Sequence, residues 1–321
     1  MRRVVVAGGA GFVGSHVCDA LLGRGDEVVC VDNLVSGDLR NIAHLDGHPR
    51  FTFLLHDVVE ALALDGPVTA VLHMAAAASP ADYARIPIAT LQAGTAGTER
   101  LLQFALLRGA RFLLTSTSEV YGDALVHPQV ESYWGNVNPI GPRSCYDESK
   151  RCAEAFVYAY QRARNADVRV ARIFNTYGPR MRVNDGRAVP AFMTAALERR
   201  PFPVFGDGSQ TRSMCYVDDL VRGLLLLLDS SWTQPVNLGN PHEVTMLEVA
   251  TMIAGIAGVS RTFDYLPLPV DDPVRRCPDI TVAKRELGWA PTVDLEAGLA
   301  RTLEYWKTKL GQPAPLEPQP R

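Results

Sequence analysis

Short apolar runs alternate with longer stretches of helical periodicity through the first half of the chain. The runs are residues 2–7, 27–32, 51–57, 71–75, 111–117 and 168–174. Apolar runs of this length are typical of strands that are buried on both faces. Ser144–Arg164 instead repeats its apolar residues at helical spacing. Strands that alternate with helices predict an α/β fold, a Rossmann-like, doubly wound parallel sheet.

The pattern changes after residue 178, where segments become shorter and prolines more frequent. This change predicts a smaller α+β domain that binds substrate. We therefore expect residues 1–178 to form the dinucleotide-binding domain, with 215–240 returning to it. We expect 179–214 and 241–310 to form the C-terminal substrate domain, and the proline-rich residues 311–321 to form a flexible tail.

Residue types at segment boundaries predict where individual helices begin. Residues 87–107 are expected to form one helix, in which Gly94 and Gly97 face the sheet or the cofactor. Asp218 and Asp219 precede an apolar run that ends at residue 228, and an aspartate in that position is typical of a helix N-cap. Thr245 and Glu248 have the spacing of a capping box.

A glycine-rich turn directly follows the first strand. Gly8, Gly11 and Gly14 have G-x-x-G-x-x-G spacing, with Phe12 and Val13 between the last two. Such glycines allow the backbone to approach a pyrophosphate that lies at the N-terminus of the following helix. The strand before the turn and the helix after it favour a dinucleotide site over a turn without a ligand.

Acidic residues at the ends of the next two strands indicate which dinucleotide binds. Asp32 ends the second strand, 18 positions after Gly14, close to the offset of about 20 expected for a carboxylate that binds the adenosine ribose. A carboxylate there repels a 2′-phosphate, so we expect NAD, with Asn33 beside it. Asp57 and Val58 occur where an adenine contact would fall, although Asp57 taken alone could be a turn residue.

The residues from 115 to 150 contain the predicted chemistry. Tyr146 and Lys150 are four positions apart, so a helix places them on one face. A neighbouring ammonium group favours the phenolate and lowers the tyrosine pKa from about 10, which suits removal of a proton from a sugar hydroxyl. The pair alone is a weak signal. Thr117, Ser118 and Glu119 at the end of the fifth strand strengthen it, because they add hydroxyl and carboxylate groups.

Composition excludes several other classes of protein. The chain has 321 residues, of which 47% are hydrophobic and 21% charged, and a net charge of -3. This charge gives no electrostatic reason for binding nucleic acid or an anionic membrane. The longest apolar run, from 224 to 228, is too short to span a bilayer. The six cysteines show no disulfide or metal-ligand spacing, so we expect no metal and a cytoplasmic protein with reduced thiols. His73, in the middle of a strand, is expected to be a packed core residue.

The chain resembles the extended short-chain dehydrogenases/reductases and, among them, the UDP-glucuronate decarboxylase family. The resemblance extends from residue 2 to about residue 305. It is most specific in the segments TSTSEVYGD (115–123), ARIFNTYGPRM (171–181), GDGSQTRS (206–213), PVNLGNP (235–241) and DDPVRRCPDI (271–280). It implies a Rossmann domain, a small sugar-nucleotide domain, and a homodimer paired through helices 87–107 and 144–164.

The resemblance also implies a role for each site residue. Tyr146 would take the proton of the C4 hydroxyl, Lys150 would lower its pKa and hold the nicotinamide ribose, and Thr117 would bind the C4 oxygen. Glu119, with Ser118 beside it, would act in decarboxylation and reprotonation. The remaining substrate contacts would come from Ser79, Asn175, Arg180, Gln210, Arg212 and Arg276, the last of these near the reacting carboxylate.

The implied reaction converts UDP-glucuronate to UDP-xylose and CO2 through a 4-keto intermediate, with NAD recycled. Alternatives are a UDP-glucuronate 4-epimerase, a sugar-nucleotide 4,6-dehydratase, and a non-catalytic NAD-sensing protein. Ser118 argues against the dehydratase, which has an acid at that position, and the Tyr146/Lys150 pair argues against the sensor. The sequence departs from the decarboxylase pattern at Gly94, where asparagine is frequent, and at Ser149, where glycine is usual.

Overall fold

The computed structural model describes residues 1–183, 185–268 and 275–310, the last residue without its side chain. The predicted tail at 311–321 and residues 271–274 of the segment 271–280 lie outside the described residues.

Fourteen strands form four sheets within the described ranges. In chain order the strands are β1 (Arg3–Ala7), β2 (Glu27–Asp32), β3 (Phe51–Leu55), β4 (Ala70–His73), β5 (Arg111–Thr117), β6 (Val168–Ile173), β7 (Thr176–Tyr177), β8 (Phe202–Phe205), β9 (Thr211–Ser213), β10 (Cys215–Tyr216), β11 (Val236–Leu238), β12 (Glu243–Thr245), β13 (Phe263–Leu266) and β14 (Arg275–Arg276).

Ten α-helices accompany these strands in the same part of the chain. They are α1 (Phe12–Gly23), α2 (Pro80–Arg85), α3 (Pro87–Gln92), α4 (Thr98–Leu107), α5 (Ser144–Arg164), α6 (Ala188–Leu197), α7 (Val217–Asp229), α8 (Met246–Ala257), α9 (Thr281–Leu287) and α10 (Leu295–Leu310). No described helix is both long enough and apolar enough to cross a bilayer.

The main sheet has seven strands, in the order β3-β2-β1-β4-β5-β6-β11, and every neighbouring pair is parallel. The strand order reverses between β1 and β4, and ligands bind at such a switch point, beyond the carboxyl ends of the strands. The prediction of a Rossmann-like, doubly wound parallel sheet is confirmed. The late strand β11 joins this sheet beside β6.

The sheet is covered on both faces because its central strands carry apolar side chains on both faces. In β1, Val4 and Val6 pack into the core formed with α1 and α7, whereas Val5 and Ala7 pack into the core formed with α4 and α5. All four side chains are fully buried. Burial stabilises the fold by roughly 1.5–3 kcal/mol for each large aliphatic side chain.

The smaller part of the molecule is built from short strands and the helices α6, α8 and α10. β9 pairs antiparallel with β12 and parallel with β14, and the second pairing places Arg276 opposite Arg212. β8 and β13 form a separate parallel pair. The pairing of β14 with β9 thereby aligns two arginines from distant parts of the chain at one edge of the site.

The predicted helix at 87–107 is confirmed as a continuous helical stretch, made of α3, a π-helical segment (Ala93–Gly97) and α4, and α2 precedes it because Pro80 and Pro87 each start a new helix. The predicted cap of the later helix α7 was wrong. Asp219 does not cap α7 but lies in its first turn, where it accepts hydrogen bonds from the backbone amides of Thr292 and Val293. The capping box of α8 at Thr245 is present as predicted.

Candidate active site

A cavity of about 410 Å³ opens at the carboxyl ends of the strands, between the main sheet and the smaller part. Most of the predicted site residues line it. They are Gly8, Gly11, Phe12, Val13, Gly14, Ser79, Thr117, Ser118, Glu119, Tyr146, Lys150, Asn175, Arg180, Gln210, Arg212 and Arg276. Four predicted cofactor residues, Asp32, Asn33, Asp57 and Val58, do not line this cavity.

The glycine turn fits a dinucleotide pyrophosphate. A Cβ atom on Gly8 would lie 2.6 Å from the amide nitrogen of Ala75, and one on Gly14 would lie 2.1 Å from the carbonyl oxygen of Gly8. Helix α1 has neither a side-chain cap nor an acidic residue in its first turn. Its N-terminus therefore presents backbone amides to the cavity, as an anionic pyrophosphate requires.

Asp32 ends β2 directly beneath this turn. Its carboxylate accepts hydrogen bonds from the amides of Ala10 (3.0 Å) and Leu34 (2.9 Å). Burial raises the pKa of Asp32, and these two amides lower it. Asp32 thus supports the shape of the glycine turn as well as providing acceptor oxygens near the edge of β2.

The other predicted adenine-side residues lie together beyond β3. The side-chain amide of Asn33 donates a 2.9 Å hydrogen bond to the Asp57 carboxylate, which also accepts from the amide of Val59. Val58 is buried against Gly97, where a Cβ would come within 2.8 Å of the valine side chain. Their roles in cofactor binding remain predictions.

Tyr146 and Lys150 lie on the cavity face of α5, as their spacing predicts. The ammonium nitrogen of Lys150 is 5.9 Å from the centre of the Tyr146 ring and donates a 2.8 Å hydrogen bond to the Thr115 carbonyl. The side chain of Thr117 hydrogen-bonds to Tyr146. The ring of Tyr83 stacks on that of Tyr146, with centroids 5.6 Å apart.

The pKa of Tyr146 is raised, although the sequence predicted that it would be lowered. Burial raises it, and the groups that lower it are the Thr117 hydrogen bond and the guanidinium of Arg187. The ammonium of Lys150 is directed to the Thr115 carbonyl rather than to the phenol. Burial in turn lowers the pKa of Lys150 to about 8. In the protein alone the tyrosine is therefore neutral at pH 7.

Glu119 is held by two arginines at once. Arg276 binds both carboxylate oxygens, at 2.5 and 2.8 Å, and Arg143 binds the second oxygen at 2.9 Å. Burial works against the charge, but the two guanidinium groups prevail and lower the pKa of Glu119 to about 2. Glu119 is therefore ionised at neutral pH, and bidentate pairing of this kind fixes its orientation.

Sequence reasoning missed Arg143, which lines the cavity one helical turn before Tyr146. The i, i+3 spacing of the two residues was an available signal, because it places them on the same side of a helix start. Asp147, which follows Tyr146, was missed as well. It is buried, and one carboxylate oxygen has no hydrogen-bond partner among the described residues. Burial and the charge of Glu119 raise its pKa to about 7.

A second charged cluster forms the wall opposite the glycine turn. Arg187 pairs with Asp185, and Arg182 pairs with Asp82, which also accepts a hydrogen bond from Ser79. All five residues line the cavity. No periodicity in the sequence indicates this cluster, because α2 and the segment before α6 meet only in the folded chain.

The predicted substrate residues differ in how much hydrogen-bonding capacity they retain. The side-chain oxygen of Asn175 is buried without a partner among the described residues, and so is one terminal nitrogen of Arg180. Gln210 donates to the Phe205 carbonyl, and Ser79 caps α2 by accepting from the amide of Asp82. Asn175 and Arg180 are therefore the members of this set best prepared to bind a ligand.

One group of potential metal ligands lies outside the cavity. The ligand atoms of His127, Glu243 and Cys277 lie within 4.8 Å of one another, the sole such group in the described part of the chain. His127 is 2.9 Å from Glu243, and Arg275 is 3.6 Å from it. The Glu243 carboxylate is therefore already held by hydrogen bonds with His127 and Thr211 and lies near the guanidinium of Arg275. All six cysteines are free thiols.

The chain is similar to known proteins over nearly its whole length. Residues 4–239 match the NAD dependent epimerase/dehydratase family. UDP-glucuronic acid decarboxylase 1 of Arabidopsis thaliana is 50% identical over 96% of this chain and 70% of its own length.

Solved structures show the same fold. A dTDP-glucose 4,6-dehydratase from Streptomyces venezuelae, solved with NAD bound, has a TM-score of 0.86 at 31% identity, covering 96% of this chain and 98% of its own. A UDP-glucuronic acid 4-epimerase from Bacillus cereus, in complex with UDP-glucuronic acid and NAD, has a TM-score of 0.83 at 27% identity, covering 96% and 99%. The chain therefore belongs to the NAD dependent epimerase/dehydratase family and, among its members, is similar to the UDP-glucuronic acid decarboxylases.

Proposed function

We propose that the protein is an NAD-dependent decarboxylase that converts UDP-glucuronate to UDP-xylose and CO2. The observation that carries this proposal is Glu119, held between Arg276 and Arg143 in the cavity that also contains Tyr146, Thr117 and Lys150. Anion-binding arginines next to a Tyr/Lys pair suit a sugar that carries a carboxylate. The 50% identity to a UDP-glucuronic acid decarboxylase supports the same substrate.

The chemistry requires a ketone at C4 of the sugar. Loss of the C6 carboxylate leaves an electron pair at C5, and a C4 carbonyl accepts that pair as an enolate. NAD, when bound, supplies the oxidation of C4 and its later reduction, which a protein side chain cannot do. The residues of the chain supply orientation and proton transfer.

Tyr146 is placed to exchange the proton of the C4 hydroxyl. Its phenol lies in the cavity and is hydrogen-bonded to the side chain of Thr117, which would bind the same oxygen of the sugar. The positive charge of Arg187 favours the phenolate when Tyr146 gives up its own proton. Lys150, which is held by its hydrogen bond to the Thr115 carbonyl, would hold the nicotinamide ribose when NAD is bound.

The two arginines act on the other side of the sugar ring. Arg276 and Arg143 bind a carboxylate in the structure, and their guanidinium groups can hold and orient the C6 carboxylate while the C5–C6 bond breaks. Ser118 is buried next to Glu119. It offers no carboxyl group to protonate a departing hydroxyl, which argues against dehydration.

The reaction is tested by turnover of UDP-glucuronate in heavy water, with the product read by NMR. We expect a pentose with one deuterium at C5, because the medium supplies the proton that replaces the carboxylate. Deuterium placed at C4 of the substrate should reappear at C4 of the product. A six-carbon uronate, or a pentose without deuterium at C5, would show that the chemistry is wrong.

We also propose a cytoplasmic homodimer that pairs through α3, α4 and α5. Exposed small or apolar residues support this surface: Ile88 is 66% exposed, and Ala89, Ala155 and Ala159 are exposed on neighbouring helices. Light scattering at micromolar concentration should give twice the mass of the chain. The charge-introducing variant Ala155→Glu should reduce that mass, whereas Leu226→Glu on α7 should not. A monomeric unmodified protein would contradict the proposal.

A further inference from the structure

Glu119 is bound by the guanidinium nitrogens of Arg276 and Arg143 that a substrate carboxylate would need. The inference drawn from this contact rests on the proposed function. Arg276 uses two terminal nitrogens on Glu119 and Arg143 uses one. The side chains are 6%, 15% and 13% exposed for Arg276, Arg143 and Glu119. A second carboxylate cannot make the same bidentate pair with Arg276 while Glu119 occupies both of its terminal nitrogens.

We propose that the C6 carboxylate of UDP-glucuronate replaces Glu119 between Arg276 and Arg143, and that the displaced Glu119 takes up one proton as the substrate binds. Glu119 thus serves as the internal counter-ion of the two arginines before binding. Afterwards it is the acid that stands beside C5.

In the described part of the chain, the charged and titratable groups that act on Glu119 fall into two sets. The two arginines, from β14 and from the residue before α5, are the groups that keep it ionised. Asp147 and Tyr146 on α5 and Tyr83 on α2 are its other electrostatic neighbours, and none of them brings a positive charge. Once the arginines bind another carboxylate, burial and the nearby negative charges favour the neutral acid.

The exchange balances the protons of the reaction. Decarboxylation of a carboxylate consumes one proton, since R–COO⁻ and H⁺ give R–H and CO2. The C5–C6 bond breaks, its electron pair enters the C4 carbonyl as an enolate, and a C5–H bond forms with the proton of the Glu119 carboxyl. The arginines, freed by the departure of CO2, then bind the ionised Glu119 again. The proton thus enters with the substrate and leaves in the product.

Proton uptake on binding can be measured without turnover. Isothermal titration calorimetry of the NAD-loaded Tyr146→Phe variant, in buffers of different ionisation enthalpy at pH 7, should show uptake of about one proton per UDP-glucuronate bound. UDP-xylose lacks the C6 carboxylate and should bind with little or no uptake. Equal uptake for the two ligands, or none for UDP-glucuronate, would overturn the exchange.

Two isosteric variants assign the proton to a residue. In the Tyr146→Phe background, Glu119→Gln should bind UDP-glucuronate without proton uptake, because the amide does not ionise in this range. Asp147→Asn should retain the uptake, although Asp147 is the other buried carboxyl near the arginines. The reverse result would make Asp147 the acceptor and refute the role of Glu119.

Failure of the carboxylate exchange can be distinguished from failure of the proposed decarboxylase function. If the unmodified enzyme forms no CO2 from UDP-glucuronate, the proposed function fails whatever calorimetry shows. If it forms CO2 and UDP-xylose while the Tyr146→Phe variant binds substrate without proton uptake, only the exchange is wrong.

Discussion

At the scale of single residues, Tyr146 is the side chain whose removal should separate binding from chemistry. Tyr146→Phe keeps the ring that stacks on Tyr83 but removes the hydroxyl that exchanges the C4 proton. We expect turnover to fall by at least a hundredfold, the order of a general-base contribution, while UDP-glucuronate binding changes little. Steady-state kinetics and calorimetry measure the two effects. Turnover near the unmodified rate would show that another group is the base.

Asp32 allows a second test on a single residue, because its carboxylate should discriminate between dinucleotides. Asp32→Ser is expected to weaken NAD binding by roughly ten- to a hundredfold, the loss of a charged hydrogen bond, and to narrow the gap to NADP. Titration with each cofactor measures both constants. The exposed Asp65→Ser serves as the control. Tighter binding of NADP than of NAD by the unmodified protein would contradict the assignment.

Site residues could be predicted from the sequence where their spacing along one helix, or their position at the end of one strand, indicates that they face the site. Tyr146 and Lys150 follow from helical spacing, and Glu119 from its place at the end of an apolar strand. The pKa direction of Tyr146 could not be predicted, because it depends on burial and on Arg187, which arrives from 41 positions away in the chain. The pairing of Glu119 with Arg143 likewise requires the fold.

At the scale of elements, Gly94 and Ser149 form a matched contact between the π-helical segment and α5. A Cβ on Gly94 would lie 2.6 Å from the Cβ of Ser149. Gly94 and Ser149, two of the positions at which the sequence departs from the decarboxylase pattern, thus face each other across this contact. The contact lies one residue from Lys150 and therefore sets how closely α5 approaches the cofactor side of the sheet.

Gly94→Ala should therefore destabilise the protein by about 1–3 kcal/mol through overpacking. Adding Ser149→Gly should recover much of that loss, because it removes the atoms that the new methyl group meets. Urea unfolding of the single and double variants measures the coupling. Gly23→Ala in α1, where nothing lies within 4 Å of the added Cβ, is the matched control and should be neutral or stabilising. Independent, additive effects of Gly94→Ala and Ser149→Gly would rule out the contact.

Element boundaries were predictable where one pattern is dominant. β5 and α5 begin and end where the sequence pattern places them, because a continuous apolar run and a long periodic helix leave little ambiguity. The division of 80–107 could not be predicted in full. Pro80 and Pro87 mark two starts, but the π-helical turn arises from packing of Gly94 and Gly97 against α5 and Val58.

At the scale of the whole molecule, the buried His73 makes stability sensitive to acid. It is fully buried in the sheet, and burial, followed by the charge of Lys150, lowers its pKa to about 3 from the ordinary 6.5. Between these values the unfolded chain binds a proton that the folded chain does not. Stability contributed by the neutral histidine is therefore complete above pH 6.5 and is lost as the pH falls below it.

We expect the unmodified protein to lose about 1 kcal/mol more than His73→Leu when the pH falls from 7.5 to 5.5. The difference between the two proteins removes the contributions of other titrating groups, such as Asp147. Leucine leaves the Thr98 hydroxyl satisfied, because that hydroxyl already donates to the Gly94 carbonyl. Urea unfolding at the two pH values is the measurement. An identical pH dependence in both proteins would show that His73 is not the group responsible.

The doubly wound architecture as a whole was predictable, since the order of apolar runs and glycine turns determines it. The closing of the smaller part over the cavity was not, because β9, β12 and β14 are only two or three residues long and pair across the chain. Such short strands carry no periodicity of their own. Their positions depend on the partners they meet.

The edge strand β11 determines which fragments and chimaeras of this protein should keep the main sheet intact. Because β11 follows β8, β9 and β10 along the chain yet completes the main sheet beside β6, the polypeptide leaves the sheet layer and returns to it. A fragment cut after residue 214 would leave β6 as an open edge, with unpaired backbone groups that invite aggregation. Chimaeras that exchange the smaller part of the molecule between family members should therefore transplant two separate segments and leave the strand between them in place.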